Sequence, residues 1–261
     1  MPLSQTGFSF SPGGLLFPYY IGVAYFLKDV GIITLVTPLG GSSAGSIIAS
    51  AVACGVEKED VCAGLSALMQ DVRSGVRLNQ ALRKQLHALM PENAAELAME
   101  HNLAISYLRV TPWPKACIVT KWDSTADLVD TVCASCNWPL FFSKWPFVWC
   151  RRQLACDGFF AVPRERFGCP PLSGADGSPP TRTVAVCCLP QVEMPAFCTA
   201  DTIKPGILDE YSLDVSSSQW FSWALEPAPD EEVENMVSKG REHAMLWLNS
   251  ELSRADLVEQ V

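Results

Sequence analysis

The sequence predicts an α/β fold of three layers (α/β/α), a mainly parallel central sheet covered by helices on both faces. Two short strands of low polarity flank a helix at the start of the chain, and strand-like segments return after a long helical stretch. Gly7 to Ser11 reads as the first strand, Pro12-Gly13-Gly14 breaks it, and Phe17 to Val30 reads as a helix that Gly31 stops. Thr34 to Leu39 reads as the next strand and runs straight into Gly40 to Ser46, after which Ile47 to Cys54 has the small, apolar character of a buried helix. Lys58 to His101 then reads as a helical cover, with Val61, Leu65, Leu68 and Met69 on one face and Leu78, Leu82, Leu86 and Leu89 on another. Strands are expected at Leu103 to Val110 and Ala116 to Thr120, and Ser124 caps a helix through Cys133. Gly168 to Pro180 reads as a long surface loop, Thr183 to Cys188 as a buried strand, and Asp230 to Leu252 as an amphipathic tail helix. One domain over residues 1–261 is expected, with the motif-bearing core in 7–163 and the sheet extension, loop and last helix in 164–261.

Composition narrows the function classes. Hydrophobic residues make up 49% of the 261 and charged residues only 18%, so a folded protein with a substantial core is expected. A net charge of -9 argues against nucleic acid, which is held by clustered Lys and Arg. The 11 cysteines are odd in number and many lie in apolar runs, such as Cys54, Cys187 and Cys188, so buried thiols are expected rather than a disulfide framework. Cys133 and Cys136 form a CxxC with no second pair at finger spacing, and His87, His101 and His243 are scattered, so no metal site is expected. Met1 to Ser11 lacks the pattern of a secretory signal, and Leu15 to Leu27 is shorter than the roughly 20 residues needed to cross a bilayer. The expectation is a cytoplasmic protein, or one peripheral to an intracellular membrane.

The chemistry concentrates at Gly41-Ser42-Ser43-Ala44-Gly45, a GxSxG between a strand and a helix. A tight turn there lifts the Ser43 hydroxyl above the sheet edge, with the free N–H groups of a helix N-terminus, Ala44 first, behind it. A serine hydroxyl needs a base, and two residues stand out. Asp157 ends an apolar strand in Leu154-Ala155-Cys156-Asp157-Gly158, where it also suits an Asx turn. His243 completes the chain order of an α/β-hydrolase triad, but it lies within the tail helix, and too few strands precede Ser43 for that topology.

These residues carry a resemblance to the patatin-like phospholipases. Pro12-Gly13-Gly14 with Tyr20-Ile21-Gly22-Val23 is similar to that family's glycine-rich loop and first helix. Gly41 to Gly45 matches its nucleophile turn, Asp157-Gly158 its second motif, and Val132 to Pro139 its small-residue and proline segment. The resemblance implies a Ser43–Asp157 dyad without histidine, an acyl-enzyme, an oxyanion held at Gly13 and Gly14, a lipid ester as substrate, and no metal or organic cofactor. Three departures stand against it: Phe159 and Phe160 follow Gly158 where the family has small residues, the family's usual Asn is missing near Ala161-Val162-Pro163, and the loop at Gly13 and Gly14 is shorter of glycine than the family's. A lipid-binding protein without turnover is the alternative they raise. Near Asp157, Trp138, Phe141, Phe142, Trp145, Phe147 and Trp149 read as an acyl channel, a membrane or lipid-droplet contact, or core.

Overall fold

The computed structural model describes residues 6–190, 201–206 and 213–259. Among them eight strands form one sheet: β1 (Thr6–Phe10), β2 (Leu39–Ser42), β3 (Ala104–Arg109), β4 (Lys115–Val119), β5 (Val148–Cys150), β6 (Gln153–Cys156), β7 (Arg182–Val186) and β8 (Thr202–Ile203). The order is β5-β6-β3-β2-β1-β7-β8, with β4 also paired to β3. The pairs from β3 through β2, β1 and β7 to β8 are parallel, and β4, β5 and β6 join antiparallel. Every residue of β1 and β2 is buried, as a sheet covered on both faces requires.

The second strand starts later than its composition suggests. Thr34 to Pro38 form a turn in which the Thr37 N–H donates to the Thr34 carbonyl at 3.1 Å and the Thr34 N–H donates to Thr37 Oγ1 at 3.0 Å. A threonine hydroxyl that bonds nearby backbone competes with strand pairing, and Leu35 and Val36 are left about three-quarters exposed. Pairing begins only where β1 lies alongside, with Phe8 opposite Leu39.

The helices are α1 (Phe17–Asp29), α2 (Ala44–Ala53), α3 (Lys58–Arg73), α4 (Leu78–Leu89), α5 (Ala94–Glu100), α6 (Thr125–Ser135), α7 (Ser217–Ser222) and α8 (Asp230–Glu259). Ser124 caps α6 by accepting from the Asp127 N–H at 3.2 Å. Helix α3 buries Val61, Leu65, Leu68 and Met69, and α4 buries Leu82 and Leu86 with Leu78 and Leu89 half-buried beside them. Helix α8 lies along α1, and the two backbones meet at paired glycines: a Cβ on Gly22 would fall 2.0 Å from the Val237 carbonyl oxygen, and one on Gly240 2.0 Å from that of Tyr19. The described cysteines are free thiols, most of them buried. Among the described residues no helix is long and apolar enough to cross a membrane.

Candidate functional site

Ser43 sits between the end of β2 and the first residue of α2 with φ 51° and ψ -129°. A non-glycine residue is strained there, and the surroundings hold it in place. Its carbonyl accepts from the Ser46 N–H at 2.8 Å and from Ser46 Oγ at 2.6 Å. The turn also needs the motif's small flanks, because a Cβ on Gly41 would meet the Gly45 carbonyl oxygen at 2.2 Å, and one on Gly45 the Phe10 carbonyl oxygen at 2.3 Å.

A buried network of serines supports this turn. The Ser43 N–H donates to Ser135 Oγ at 2.8 Å, and that hydroxyl donates to the Ser106 carbonyl at 2.7 Å, tying β2, β3 and the end of α6 together. Ser42 Oγ adds short contacts to Ser106 Oγ and the Gly168 carbonyl. Ser135→Ala would leave a buried donor and a buried acceptor unpaired, a cost of about 2 kcal/mol or more. The expected outcome is a lower urea midpoint together with labelling of Ser43 by a fluorophosphonate about 10- to 100-fold slower, as the turn loses its register.

Asp157 follows β6 and is fully buried. Its own N–H donates to the Asn137 carbonyl at 3.1 Å, which fixes the acid to the segment just after α6. Oδ1 accepts from the Phe159 N–H at 2.9 Å, so the Asx turn suggested by the sequence is present. Oδ2 has no hydrogen-bond partner. Burial raises the carboxyl pKa to about 7, against the opposing pull of the Phe159 N–H and of the Ser43 hydroxyl. Ser43 is thus a close neighbour of this carboxyl.

Gly13 and Gly14 line the same cavity as Ser43, and Ala44 lines a second one with Ser43 and Gly14. Tyr20 anchors the loop beneath: its hydroxyl bonds Ser11 Oγ at 2.8 Å and accepts from the Cys188 N–H at 3.3 Å. At the loop's other end the Leu15 N–H donates to the Ala224 carbonyl at 3.0 Å. His243 is engaged elsewhere, its Nδ1 bonded to the Tyr19 hydroxyl at 3.0 Å where α8 packs on α1.

The aromatic pair after Gly158 is accommodated. Phe159 packs against Trp138 and Phe167 with ring centroids 5.3 and 5.6 Å away, and Phe160 packs against Trp138 at 5.0 Å. Both rings join an aromatic cluster, while the Phe159 N–H still serves Asp157. Of the aromatic run, Trp138 and Phe142 line the cavity at Ser43, Phe141 is half exposed at its mouth, and Trp145 and Trp149 are each 70% exposed. Cavity wall and surface thus each take a share of a segment that the sequence could not divide.

Two apolar cavities meet at Ser43. One, with a cavity volume of about 50 Å³, runs under the helical cover between Ile47, Val61, Leu65, Leu68, Leu82 and Leu86. The other, with a cavity volume of about 390 Å³, is lined by Pro12, Trp138, Phe159, Phe167, Leu189 and Leu225. Gly14, Ser43 and Phe142 border both. Of the residues singled out in the sequence, Gly13, Gly14 and Ser43 line one cavity, while Ser106, Ser135, Tyr20 and Asn137 were given no role of their own. Ser135 and Asn137 lie inside the small-residue segment already singled out, which was the available signal.

The family model "Patatin-like phospholipase" matches residues 8–167. An omega-hydroxyceramide transacylase of Mus musculus is 28% identical over 169 residues, which cover 61% of this chain and 28% of that protein. The omega-hydroxyceramide transacylase of Homo sapiens is 25% identical over 150 residues, 54% of this chain and 28% of that protein. The match thus spans little more than a quarter of those relatives' length. Among solved structures, VipD from Legionella pneumophila superimposes with a TM-score of 0.56 at 13% identity, over 94% of this chain and 67% of that one, a likeness of fold. With more than half of its length matched by that model, the chain belongs to the patatin-like phospholipase family.

Proposed function

We propose that the chain is a serine acyl hydrolase of lipid esters in which Ser43 is the nucleophile and Asp157 its base. The observation that carries this reading is a fully buried carboxyl with one unbonded oxygen and a pKa near 7, next to a serine on a strained strand-to-helix turn. Asp157 takes the Ser43 proton as Oγ attacks the ester carbonyl, and the N–H groups of Gly13, Gly14 and Ala44 receive the oxyanion. As the carbonyl re-forms, the alcohol C–O bond breaks and Asp157 returns the proton to the departing oxygen. Water, deprotonated by Asp157, then cleaves the acyl-enzyme. No step uses a metal or an organic cofactor.

Acyl transfer is the second reading, favoured by the pair of cavities at Ser43 and by the transacylases among the relatives. In that case a lipid alcohol takes the place of water. Incubating wild type and Ser43→Ala with glycerophospholipids, triacylglycerols and galactolipids tests both readings. Wild type releases fatty acid, or moves it to an added long-chain alcohol, and Ser43→Ala does neither. Long-chain esters should react faster than acetyl esters; equal rates for the two would remove the assignment to lipids.

The substrate sits in a lipid surface, so contact with that surface belongs to the same reading. Leu140, Phe141 and Trp145 are 71%, 52% and 70% exposed, and Phe141 stands at the mouth of the aromatic cavity. Trp145→Ala is expected to weaken co-sedimentation with phosphatidylcholine vesicles about tenfold, the cost of losing one inserted ring. Unchanged binding would place the contact on another face.

A further inference from the structure

The loop between α6 and β5, residues 138–147, faces two ways. Trp138 and Phe142 line the cavity at Ser43, while Leu140 and Trp145 are 71% and 70% exposed. The loop is held rather than free. Leu140 has φ 64°, a left-handed conformation usual for Gly or Asn, and a leucine stays there only where its surroundings fix it. The Asn79 N–H at the start of α4 donates to the Phe142 carbonyl at 3.3 Å, and Asn137 Nδ2 donates to the Pro146 carbonyl at 3.1 Å, which closes the loop on itself.

Asn137 is also where this loop meets the acid. It is fully buried, and its backbone carbonyl accepts from the Asp157 N–H at 3.1 Å. Its Oδ1 accepts from Asn79 Nδ2 at 3.4 Å, so one residue joins α4, the loop and the turn after β6. A second connection runs through the next residue: Trp138 packs against Phe159, whose N–H donates to Asp157 Oδ1 at 2.9 Å. A buried amide needs partners whatever its function, and loop closure accounts for the side chain of Asn137. The backbone contact places the same residue directly against the acid.

We infer that Asn137 is a positioning residue that holds the lipid-facing loop and Asp157 in one frame, so that seating the loop on a lipid surface and aiming the acid at Ser43 depend on the same side chain. The inference rests on the proposed roles of Ser43 and Asp157. Asn137 touches no reacting atom and acts through the acid and the loop. An ester borne on a surface then meets a site whose mouth and base are already aligned, and a misplacement of about 1 Å in the base costs about 100-fold in rate.

Full-length wild type, Asn137→Ala, Asn79→Ala and Ser124→Ala are compared on p-nitrophenyl acetate in solution, on a long-chain ester carried in phosphatidylcholine vesicles, and by co-sedimentation with those vesicles. Asn137→Ala keeps the backbone carbonyl and loses both side-chain bonds. It should lower kcat on the acetyl ester about 10- to 100-fold with KM unchanged. It should also weaken co-sedimentation about threefold, because the loop must then be ordered on binding. Asn79→Ala leaves Asn137 and its bond to Pro146 in place, and should move both readouts in the same direction by about twofold, the worth of one hydrogen bond. It keeps the test decisive if Asn137→Ala fails to fold. Ser124→Ala removes the cap of α6 without touching the loop or the acid, and should leave both readouts as in wild type.

The pH profile separates positioning from stability. Among the described residues the ionisable side chains beside Asp157 are the thiols of Cys136 and Cys156, which burial keeps protonated well above pH 7, so a limb near pH 7 belongs to the acid. Loosening its frame admits water and relieves the burial that raises the carboxyl pKa, so the kcat/KM limb of Asn137→Ala should move to lower pH. Weaker co-sedimentation with an unchanged acetyl rate, a slower acetyl rate with unchanged co-sedimentation, or an unmoved pH limb overturns the inference. An equal loss in Ser124→Ala does the same. Any of these results in an active wild type rejects the inference alone, whereas a wild type that turns over neither ester rejects the catalytic reading, and the inference falls with it.

Discussion

Asp157→Asn is expected to lower kcat/KM for a long-chain ester about 10³- to 10⁴-fold and to raise the melting temperature by several degrees. Both effects have one cause. The side chain is fully buried, its pKa is raised from 3.8 to about 7 by loss of hydration, and one of its oxygens has no hydrogen bond. The unfolded chain releases this proton near pH 4, whereas the folded chain holds it until near pH 7. Between those values the unfolded state binds fewer protons, so stability falls as pH rises, and above pH 7 the full penalty applies. The shift is roughly three units, which sets that penalty at about 4 kcal/mol or less. Asparagine keeps the shape and cannot ionise, so the variant escapes the penalty and loses the base. The same titration sets the activity profile: kcat/KM should climb through about pH 7 and level off above it. Thermal melts and pH–rate profiles of both proteins check the pair of effects, and a variant that retained a tenth of wild-type activity would remove Asp157 from the chemistry.

Ser43 is expected to show the largest loss of all, and a comparison of two substitutions separates its chemistry from its backbone strain. Ser43→Ala and Ser43→Gly should both lose about 10⁴-fold or more in kcat, since neither offers a nucleophile. Their stabilities should differ. At φ 51° and ψ -129° alanine keeps the strain of the wild type, while glycine relieves it, by about 1–3 kcal/mol before its larger chain entropy is counted. Glycine is therefore expected to be the more stable of the two in urea unfolding. Equal stabilities would mean that the turn stores no strain. Labelling of Ala at position 43 by a fluorophosphonate probe would locate the reactive serine elsewhere.

The parts of the site that were legible in the sequence are those whose physical requirement is local. A GxSxG must have small flanks whatever surrounds it, and Asp157 before Gly158 at the end of a strand is a short-range pattern. The serine network was not legible, because Ser43 and Ser135 are 92 residues apart and a hydroxyl serves a distant N–H as readily as solvent. The antiparallel margin of the sheet was missed for a different reason. Arg151 and Arg152 turn the β5–β6 hairpin at φ 49° and 60°, positions at which Asn-Gly would announce a turn, and the Arg151–Asp127 ion pair accompanies this uncommon choice. The apolar faces of α3 and α4 were read from periodicity as part of a helical cover, and most of their residues are buried. Periodicity cannot tell a face that packs against a solid core from one that walls a cavity, so the small cavity between α2, α3 and α4 emerged only from the coordinates. Phe159 is the opposite case: its bulk looked disruptive beside the acid, yet its ring turns into an aromatic cluster and its backbone supplies the Asp157 hydrogen bond.

The glycine-mediated crossing of α1 and α8 reaches beyond packing. The family signature stops at residue 167, yet α8, well past that point, is seated against the helix that follows the glycine loop. Phe8 of the first strand stacks edge-on against Trp247 at 5.7 Å, and Tyr19 bonds His243. A fragment ending where the signature ends would leave this flank of its first helix bare to water. The stretch by which the chain is recognised is therefore shorter than the stretch it needs to hold its shape.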